Sequence, residues 1–491
     1  MTLTIASIAA PLVSAVHGAV GAGLGLGGPA PTPDLSIPLP AAAESGWQLF
    51  NDQLVVFLAA FVVTVMATPL MRRLAIAQGV VDRPNEARKA HKLPVAYLGG
   101  VAVFAGVLAG ICASYVGMAF PPDVFDIHLS AFEQRAVPWS ILLGVAIITI
   151  TGLIDDVVGL DPRLKIAGQL VAAAALALDD VGVNVARGLM NPIGRLVDNP
   201  SLVYNIDLPF GVPLFAPTGV MEVDLVYWVG TAIIAVFVLG ACNASNFIDG
   251  LDGLLSGITA IAAVGLLLIA LHLAVANDGP LDAARITLAL ALLGACLGFL
   301  PHNFNPATIF LGDCGSLLLG YLTIVLVLSL GDTGKTHFVV AGLIIYAIPI
   351  IDAFLAIVRR KLAGKSMSEA DDQHLHHMLK RALGVKGAAL TLYVIAAIFA
   401  TLGVVLTEGR VRIGVTFALA LGAFICVTAV KIARRAAIEA DAARHHVAAP
   451  DKPLDPAPAT RPRTPREPSG DTASERRSTA AGAAATAPSK A

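Results

Sequence analysis

Charged residues are scarce in this sequence, and their scarcity excludes an ordinary soluble protein. Only 14% of the 491 residues are charged and 56% are hydrophobic, and the mean hydropathy is +0.77. A soluble domain carries roughly 25% charged residues, so this composition predicts an integral membrane protein. The formal net charge is −2, and the basic residues fall in short loops beside apolar segments. That distribution excludes a nucleic-acid-binding surface.

Cysteine is equally rare. The chain has 5 cysteines, an odd number, all within or beside apolar segments and without C-x-x-C spacing. This pattern argues against a disulfide framework and against a cysteine-ligated zinc site. We interpret the cysteines as small residues of the core.

Basic residues are missing from the start of the chain. No Lys or Arg precedes Arg72, whereas a standard signal peptide has a basic segment ahead of its apolar run. We therefore expect residues 1–50, rich in Ala, Gly and Pro, to be a disordered extension, an extra weak span or the result of a misassigned start. Residues 51–436 are predicted to form the transmembrane domain. Residues 437–491 lack apolar periodicity and are predicted to be a disordered cytoplasmic tail.

Long apolar runs, by contrast, are abundant. Eleven of them approach the length of about 20 residues that crosses a bilayer as a helix. The predicted fold class is therefore all-α, a polytopic integral membrane protein with about eleven transmembrane helices. The Ala-rich fourth run is the weakest. The runs lie at residues 53–71, 95–119, 137–154, 164–182, 223–242, 254–276, 283–301, 308–330, 336–358, 387–407 and 413–431.

The distribution of Lys and Arg predicts the orientation of these spans. Residues 71–92 hold six Lys or Arg and residues 359–386 hold seven, whereas residues 120–135 and 277–285 hold one each. Loops rich in Lys and Arg stay in the cytoplasm. We therefore expect an external N-terminus, an internal C-terminus and a multi-pass protein of the plasma membrane.

Under this topology five polar segments meet at the cytoplasmic face. A charge beside hydrocarbon costs several kcal/mol unless it is paired or functional, so their coincidence predicts one polar site there. The segments are VDRPNEARKAHKLPVAYLGG (81–100), GLIDDVVGLDPRLK (152–165), NASNFIDGLDGLLSG (243–257), NPATIFLGDCGSLLLG (305–320) and DAFLAIVRRKLAGKSMSEADDQHLHHML (352–379).

All five segments resemble, in order, the motifs of the polyprenyl-phosphate N-acetylhexosamine-1-phosphate transferases, over roughly residues 50–430. The H-x-H-H pattern at 374–377 is similar to the WecA/TagO-like branch, which uses UDP-N-acetylglucosamine. The MraY branch, which uses UDP-N-acetylmuramoyl-pentapeptide, has three adjacent histidines instead. The resemblance implies transfer of N-acetylglucosamine 1-phosphate to undecaprenyl or decaprenyl phosphate with release of UMP. This reaction begins the assembly of a lipid-linked cell-wall or surface glycan.

Such a transfer needs a divalent cation to neutralise the pyrophosphate of the donor. Mg²⁺, for which Mn²⁺ can substitute, prefers hard carboxylate and amide oxygens and keeps several waters. The resemblance implies Asp313 and Asn246 as its ligands. The alternative for Asp313 is a helix N-cap, because it opens an apolar span.

Asp155, Asp156 and Asp313 are the predicted catalytic residues. The resemblance implies that Asp155 acts as a base on the lipid phosphate. However, a phosphate monoester has its second pKa near about 6, so the acceptor is already mostly dianionic, and orientation is the alternative role. Two solvated carboxylates at a loop would be the simpler interpretation of Asp155 and Asp156.

The predicted substrate-binding residues come from four segments. We expect the residues of the first loop to bind the lipid phosphate. We expect the Asn and Asp residues of the third segment, which are spaced by three, to line the nucleotide pocket. The histidines of the fifth segment are expected to bind the phosphates of the donor. The alternative for the Asn and Asp residues is a helix-capping segment. The alternatives for the histidines are a zinc site and a solvated loop. Residues 359–361 are explained by anchoring to anionic lipid. The predicted set is Asp82, Arg88, Lys89, His91, Lys165, Asn243, Asp249, Asp252, His374, His376 and His377.

Two other functions compete with this interpretation. A MraY-like transferase would perform the same chemistry on the pentapeptide precursor. A transporter of lipid-linked sugar would carry internal repeats and ionisable residues near the bilayer midplane, and the sequence analysis finds neither. The expected partners are UDP-N-acetylglucosamine, a polyprenyl phosphate and membrane lipid, and a homodimer is left open.

Overall fold

The computed structural model describes residues 46–82, 94–116, 137–207, 220–362, 374–407 and most of 409–431. Helices account for nearly all of its regular structure. The first half contains α1 (Gly46–Asp52), α2 (Leu54–Gln78), α3 (Gly99–Val116), α4 (Trp139–Val158), α5 (Pro162–Ala177), α6 (Val183–Leu196) and α7 (Leu225–Ile248). The second half contains α8 (Leu254–Val275), α9 (Asp282–Asn303), α10 (Gly312–Ser329), α11 (Thr336–Ile345), α12 (Ala347–Leu362), α13 (Leu375–Leu406) and α14 (Gly414–Thr428).

Seven helical segments among the described residues are long and apolar enough to cross a membrane. They are α1 with α2, then α4, α7, α8, α9, α10 and α13, and an eighth results if α11 and α12 form one span. The prediction of an all-α membrane protein is confirmed in this form. The count of eleven stays a prediction, as do the tail at 437–491 and the extension at 1–50, of which only the start of α1 is described.

Helix α10 lies at the centre of the bundle and packs against α3, α4 and α7. Every residue of α10 except Asp313 is buried, as expected for a helix that is apolar on all faces. Its crossing with α3 is very close, because a methyl group added to Gly100 would overlap the backbone of Gly315. Small residues allow this close approach of helix backbones, as is common between membrane helices.

The segment after the fourth predicted span differs from the expectation. Helix α5 has 16 residues and ends at Ala177 rather than at 182; the Asp161 side chain caps its start by accepting the Arg163 N–H at 2.8 Å. The amphipathic helix α6 and an antiparallel hairpin of β3 (Val203–Asp207) and β4 (Val220–Asp224) follow. The sequence analysis predicted neither element, because it searched for runs long enough to cross a bilayer.

The ninth predicted span is broken. Helices α11 and α12 are bent by 76° on either side of Tyr346, whose hydroxyl lies 2.5 Å from Ser245 Oγ. Asp352, on α12, falls inside the predicted span 336–358 and is fully buried. Asp352 lies beyond the bend from α11 and begins the fifth polar segment, so the expectation that no ionisable residue lies near the bilayer midplane stays a prediction.

Short backbone pairings connect the first and fourth polar segments. Strand β1 (Val81–Asp82) pairs with β2 (Val95–Ala96), and Ala96 also bridges to Ile309. The Phe310 N–H donates to the Ala96 carbonyl at 2.9 Å. These bonds hold the start of the first loop beside the start of α10.

Candidate active site at the converging helix ends

Four helices bring polar side chains to one end of the bundle, which we call the site end. Helices α4 and α7 finish there with Asp155 and Asn246, and helices α5 and α10 begin there with Lys165 and Asp313. These four side chains form one connected cluster. The second, third and fourth polar segments of the sequence therefore lie together in space.

Lys165 connects two of the predicted catalytic carboxylates. Its Nζ lies 2.9 Å from Asp155 Oδ2 and also contacts Asp313 Oδ2. The other oxygen of Asp155 accepts the Leu160 N–H at 2.7 Å. Both oxygens of Asp155 are thus engaged, one with the loop that follows α4 and one with the lysine.

Asp313 makes side-chain contacts outside its own helix. Its Oδ1 accepts from Asn246 Nδ2 at 2.6 Å, and the same amide nitrogen lies 3.0 Å from Ser316 Oγ. Its carboxylate does not cap α10 in the way the simpler alternative required. The carboxylate instead faces Lys165 and Asn246, the residue predicted to share a metal ion with it.

Asp156 caps α10 in its place. Its two carboxylate oxygens accept the N–H groups of Asp313 at 2.7 Å and of Cys314 at 3.0 Å. A methyl group on Gly312 would lie 2.5 Å from Asp156 Oδ2, and Gly312 adopts a φ of +69°, where glycine is favoured. Asp156 therefore fixes the backbone that carries Asp313, while its predicted catalytic role stays a prediction.

Asn243, Asp249 and Asp252 of the third segment have different neighbours. Asn243 donates to Gln169 Oε1 at 2.9 Å, and Asp252 accepts from Asn305 Nδ2 at 2.7 Å. Burial, and then the neighbouring carboxylates of Asp313, Asp156 and Asp252, raise the pKa of Asp249 well above its ordinary value. Asp249 thus belongs to the acidic cluster, whereas the contacts of Asn243 and Asp252 are made within the scaffold.

The histidines at the start of α13 gather on Asp352, which the sequence analysis missed. The Nδ1 atoms of His374 and His376 each lie 3.1 Å from Asp352 Oδ2, and the ring of His377 packs 4.3 Å from that of His376. A methyl group on Gly250 would lie 2.5 Å from His376 Nε2. The histidine cluster therefore borders the loop after α7. The sequence signal for Asp352 was a carboxylate within an apolar run.

The first loop is only partly described. Arg88, Lys89 and His91 lie outside the described residues, and their predicted binding of lipid phosphate stays a prediction. Asp82 lies on β1 and is partly buried. Burial, and then the carboxylates of Asp82 and Asp156, raise the pKa of Tyr97, which places this half-buried tyrosine near the acidic cluster. Tyr97 is a second residue that the motifs did not indicate.

The charge and chemistry of the cluster fit a hard divalent cation. Among the described residues, Asp155 and Asp313 contact the ammonium of Lys165, and the carboxyl groups of Asp156 and Asp249 lie near Asp313. Carboxylate and amide oxygens are the donors that Mg²⁺ prefers. The assignment of oxygen and nitrogen in the Asn246 amide follows from its hydrogen bonds, and the opposite rotamer would turn its oxygen toward the carboxylate of Asp313.

Comparison with known proteins places the chain in a family. Residues 138–331 match the model of Glycosyl transferase family 4. A relative from Bacillus subtilis, named as a probable undecaprenyl-phosphate N-acetylglucosaminyl 1-phosphate transferase, is 31% identical over 369 residues, which is 74% of this chain and 88% of the relative. The chain belongs to glycosyl transferase family 4.

Two further relatives of this family 4 member carry similar names. The decaprenyl-phosphate N-acetylglucosaminephosphotransferase of Mycobacterium tuberculosis is 32% identical, covering 66% of this chain and 75% of the relative. The undecaprenyl-phosphate alpha-N-acetylglucosaminyl 1-phosphate transferase of Salmonella typhi is 30% identical, covering 70% and 81%. The family predicted from the five motifs is confirmed.

The region that matches the family model coincides with the acidic cluster. Residues 138–331 include α4, α5, α7 and the start of α10, and thus Asp155, Lys165, Asn246 and Asp313. The histidines and Asp352 lie beyond it. In this family 4 chain the acidic cluster therefore lies within the region that matches the family model.

Proposed function

We propose that the protein transfers N-acetylglucosamine 1-phosphate from UDP-N-acetylglucosamine to a polyprenyl phosphate, either undecaprenyl or decaprenyl phosphate, and releases UMP. The names of the three relatives support this reaction. The observation that carries the proposal is the cluster in which Asp313 contacts both Asn246 and Lys165. This cluster places the candidate metal ligands Asp313 and Asn246 beside Lys165, whose ammonium group can bind a phosphate oxygen.

The reaction exchanges one phosphoanhydride bond for another. An oxygen of the lipid phosphate forms a bond to the β-phosphorus of the donor. The bond from that phosphorus to the oxygen shared with the α-phosphate breaks, and the oxygen leaves on UMP. Asp313 and Asn246 would hold Mg²⁺, or Mn²⁺ as a substitute, which neutralises the developing charge on the pyrophosphate when it is bound.

We assign Asp155 to positioning Lys165 rather than to removing a proton. Both of its oxygens are engaged, with the Leu160 N–H and with Lys165 Nζ. The acceptor phosphate, with a second pKa near about 6, needs no base at neutral pH. Lys165 then holds a phosphate oxygen between the two reactants, and Asp156 acts by fixing the start of α10.

The other predicted residues surround this centre. His374, His376 and His377 would contact the donor phosphates, with Asp249 on the side of the nucleotide. Asp82, Arg88, Lys89 and His91 would hold the lipid phosphate, because charge-assisted bonds to phosphate are strong. The prenyl tail would lie between helices in the membrane.

We further propose that the site end faces the cytoplasm of the plasma membrane, in the topology of eleven spans. The Lys- and Arg-rich segments 71–92 and 359–386 adjoin the helix ends that carry the site, and such loops stay inside. In that topology the enzyme uses cytoplasmic nucleotide sugar to begin a lipid-linked glycan.

The experiment is a turnover assay with two donors. Purified protein receives Mg²⁺, a polyprenyl phosphate and either UDP-N-acetylglucosamine or UDP-N-acetylmuramoyl-pentapeptide, and UMP release is measured. We expect UMP from the first donor. Turnover of the second donor alone would establish the MraY-like alternative, and turnover of neither would refute the proposed function.

A further inference from the structure

Asp352 is a fully buried carboxylate that receives three hydrogen-bonding groups from one turn of chain. Nδ1 of His374 and Nδ1 of His376 each lie 3.1 Å from its Oδ2, and the Leu375 N–H donates to its Oδ1 at 2.7 Å. Asp352 lies on α12, whereas its three partners lie at the start of α13. One carboxylate therefore attaches the predicted phosphate-binding histidines to a neighbouring helix.

We propose that Asp352 is a positioning residue that fixes both histidines with Nδ1 as a donor and Nε2 free for a phosphate of the substrate. This inference rests on the proposed function. A carboxylate only accepts hydrogen bonds, so each Nδ1 that contacts it carries a proton. A phosphate oxygen also only accepts, so a ring between the two binds as an imidazolium with a proton on each nitrogen.

The direction of the rings supports this arrangement. The rings of His374 and His376 are stacked, with centroids 5.3 Å apart and planes 24° apart. Because the two nitrogens lie on either side of one ring carbon, anchoring Nδ1 directs Nε2 away from Asp352. His376 Nε2 accordingly lies against Gly250, four residues after Asn246, so this nitrogen is turned toward the segment that carries a candidate metal ligand.

A second contact restrains the cluster from the side of α7. The ring of Phe247 lies 6.0 Å from that of His374, and the guanidinium carbon of Arg360 lies 5.7 Å from the Phe247 centroid. Phe247 directly follows Asn246. The histidine rings are therefore held relative to the acidic cluster by α12 through Asp352 and by α7 through Phe247.

The same three side chains have the composition of a metal site, since one ligand atom from each lies within 4.8 Å of the others. Hydrogen bonds already account for both Nδ1 atoms and both oxygens of Asp352. We therefore infer positioning, and bound zinc is an outcome that would overturn it. Zinc analysis of the purified protein decides the point: one equivalent in the wild type that is lost in Asp352→Asn refutes the inference.

The first experiment is a double-mutant cycle in the UMP-release assay. Asp352→Asn presents an amide donor to ring nitrogens that are themselves donors, so we expect a loss of about 10–100-fold in kcat/KM, as is common for groups that orient a ligand. When His374 and His376 are both Gln, the same change should cost little more, because Asp352 acts through those rings. An equal further loss in that background would indicate a structural role and overturn the inference.

The second experiment uses matched variants of one histidine. His376→Asn keeps an amide N–H where Nδ1 was and removes Nε2, whereas His376→Gln places its amide near Nε2 and loses the contact with Asp352. We expect the Asn variant to keep the thermal stability of the wild type but to lose turnover. We expect the Gln variant to be less stable than the Asn variant but to keep more turnover. Equal stability and equal turnover of the two would contradict the inference.

The two proposals fail in different ways. Absence of UMP release by the wild type with UDP-N-acetylglucosamine would refute the proposed function. The inference would then be decided by ¹⁵N NMR of the histidine rings, which distinguishes a protonated Nδ1 from an unprotonated one. Unprotonated Nδ1 atoms in the wild type would refute it, and protonated ones that change in Asp352→Asn would support it.

Discussion

The two ends of the helix bundle both hold shielded acidic side chains, but their charges are balanced differently. Helix α8 connects them and has 22 residues, or about 33 Å at a rise of about 1.5 Å per residue. At the far end, Arg285 Nη1 lies 2.6 Å from Asp282 and 3.6 Å from Asp278, and Lys335 Nζ lies 2.5 Å from Asp278. In this Arg285 cluster, the two carboxylates of Asp278 and Asp282 contact two cations.

Among the described residues of the acidic cluster at the site end, the carboxyl groups outnumber the cations. Asp155 and Asp313 share Lys165, and the carboxyls of Asp156 and Asp249 lie nearby. A buried ion pair whose partners are both present adds little net stability but is costly to break. The carboxylates around Arg285 are therefore neutralised by neighbouring side chains, whereas the cluster at the site end has the acidic donors that would suit the proposed divalent cation.

The largest effect is expected from Asp313→Asn, which removes a carboxylate from the site end. This variant should release no UMP above background, because the predicted metal ligand is lost while the shape of the side chain is kept. UMP release and the amount of protein in the membrane are measured together. Asp198→Asn, an exposed aspartate remote from the site end, is the control and should be active. Near-normal turnover by Asp313→Asn would remove the metal assignment.

Lys165→Met removes the cation that Asp155 and Asp313 share at the site end. We expect turnover to fall, since a phosphate contact is lost. We also expect the Mg²⁺ concentration for half-maximal rate to decrease on the order of tenfold, because a competing positive charge leaves the carboxylates. Mg²⁺ titrations of the residual activity of both proteins test this. A requirement for more Mg²⁺ in the variant would contradict the proposed arrangement.

Arg285→Met breaks the balanced end and should act on stability alone. Removal of one partner from a buried pair costs about 3–5 kcal/mol, and Arg285 is fully buried. Thermal unfolding in detergent should show a lower midpoint, while kcat/KM per folded molecule stays within about twofold. Adding Asp282→Asn should restore part of the stability. A selective loss of kcat/KM would mean that the far end takes part in the reaction.

The smallest effect is expected from Asp249→Asn, as a change in pH dependence. The raised pKa of Asp249 in the folded protein means that its contribution to stability is complete below the ordinary aspartate pKa and is lost as pH rises through the folded value. Unfolding midpoints in EDTA should therefore fall with rising pH less steeply for the Asp249→Asn variant than for the wild type. Parallel curves would show that Asp249 is not protonated in the fold.

The sequence predicted the location of the acidic cluster better than its internal contacts. Positive loops and apolar runs were enough to put Asp155, Asn246 and Asp313 at one end, because a bilayer allows few ways to connect long helices. The directions of the side chains were not predicted from the sequence. Asn243 and Asn246 are three residues apart on α7, yet Asn243 contacts α5 while Asn246 contacts α10, because neighbouring helices lie on two sides of α7.

Structural features that cannot be recognised from the length of an apolar run were not predicted from the sequence. Helix α6 and the β3–β4 hairpin are too short to register as spans, and the bend at Tyr346 depends on tertiary contacts such as that with Ser245. Asp352 was overlooked for the same reason. Its run was assigned from average hydropathy, which does not reveal a single buried carboxylate with three partners.

The contact between Gly100 and Gly315 has a consequence for catalysis. With no side chain between them, α3 and α10 meet at the backbone, and the bonds from β2 to Phe310 extend that junction toward the first loop. The start of the first loop, which we propose to bind the acceptor lipid, is thus attached directly to the helix that carries Asp313. In the proposed reaction, this junction would set the spacing between the acceptor and the metal, and the movement that admits the nucleotide and releases UMP would come from the opposite wall of the site.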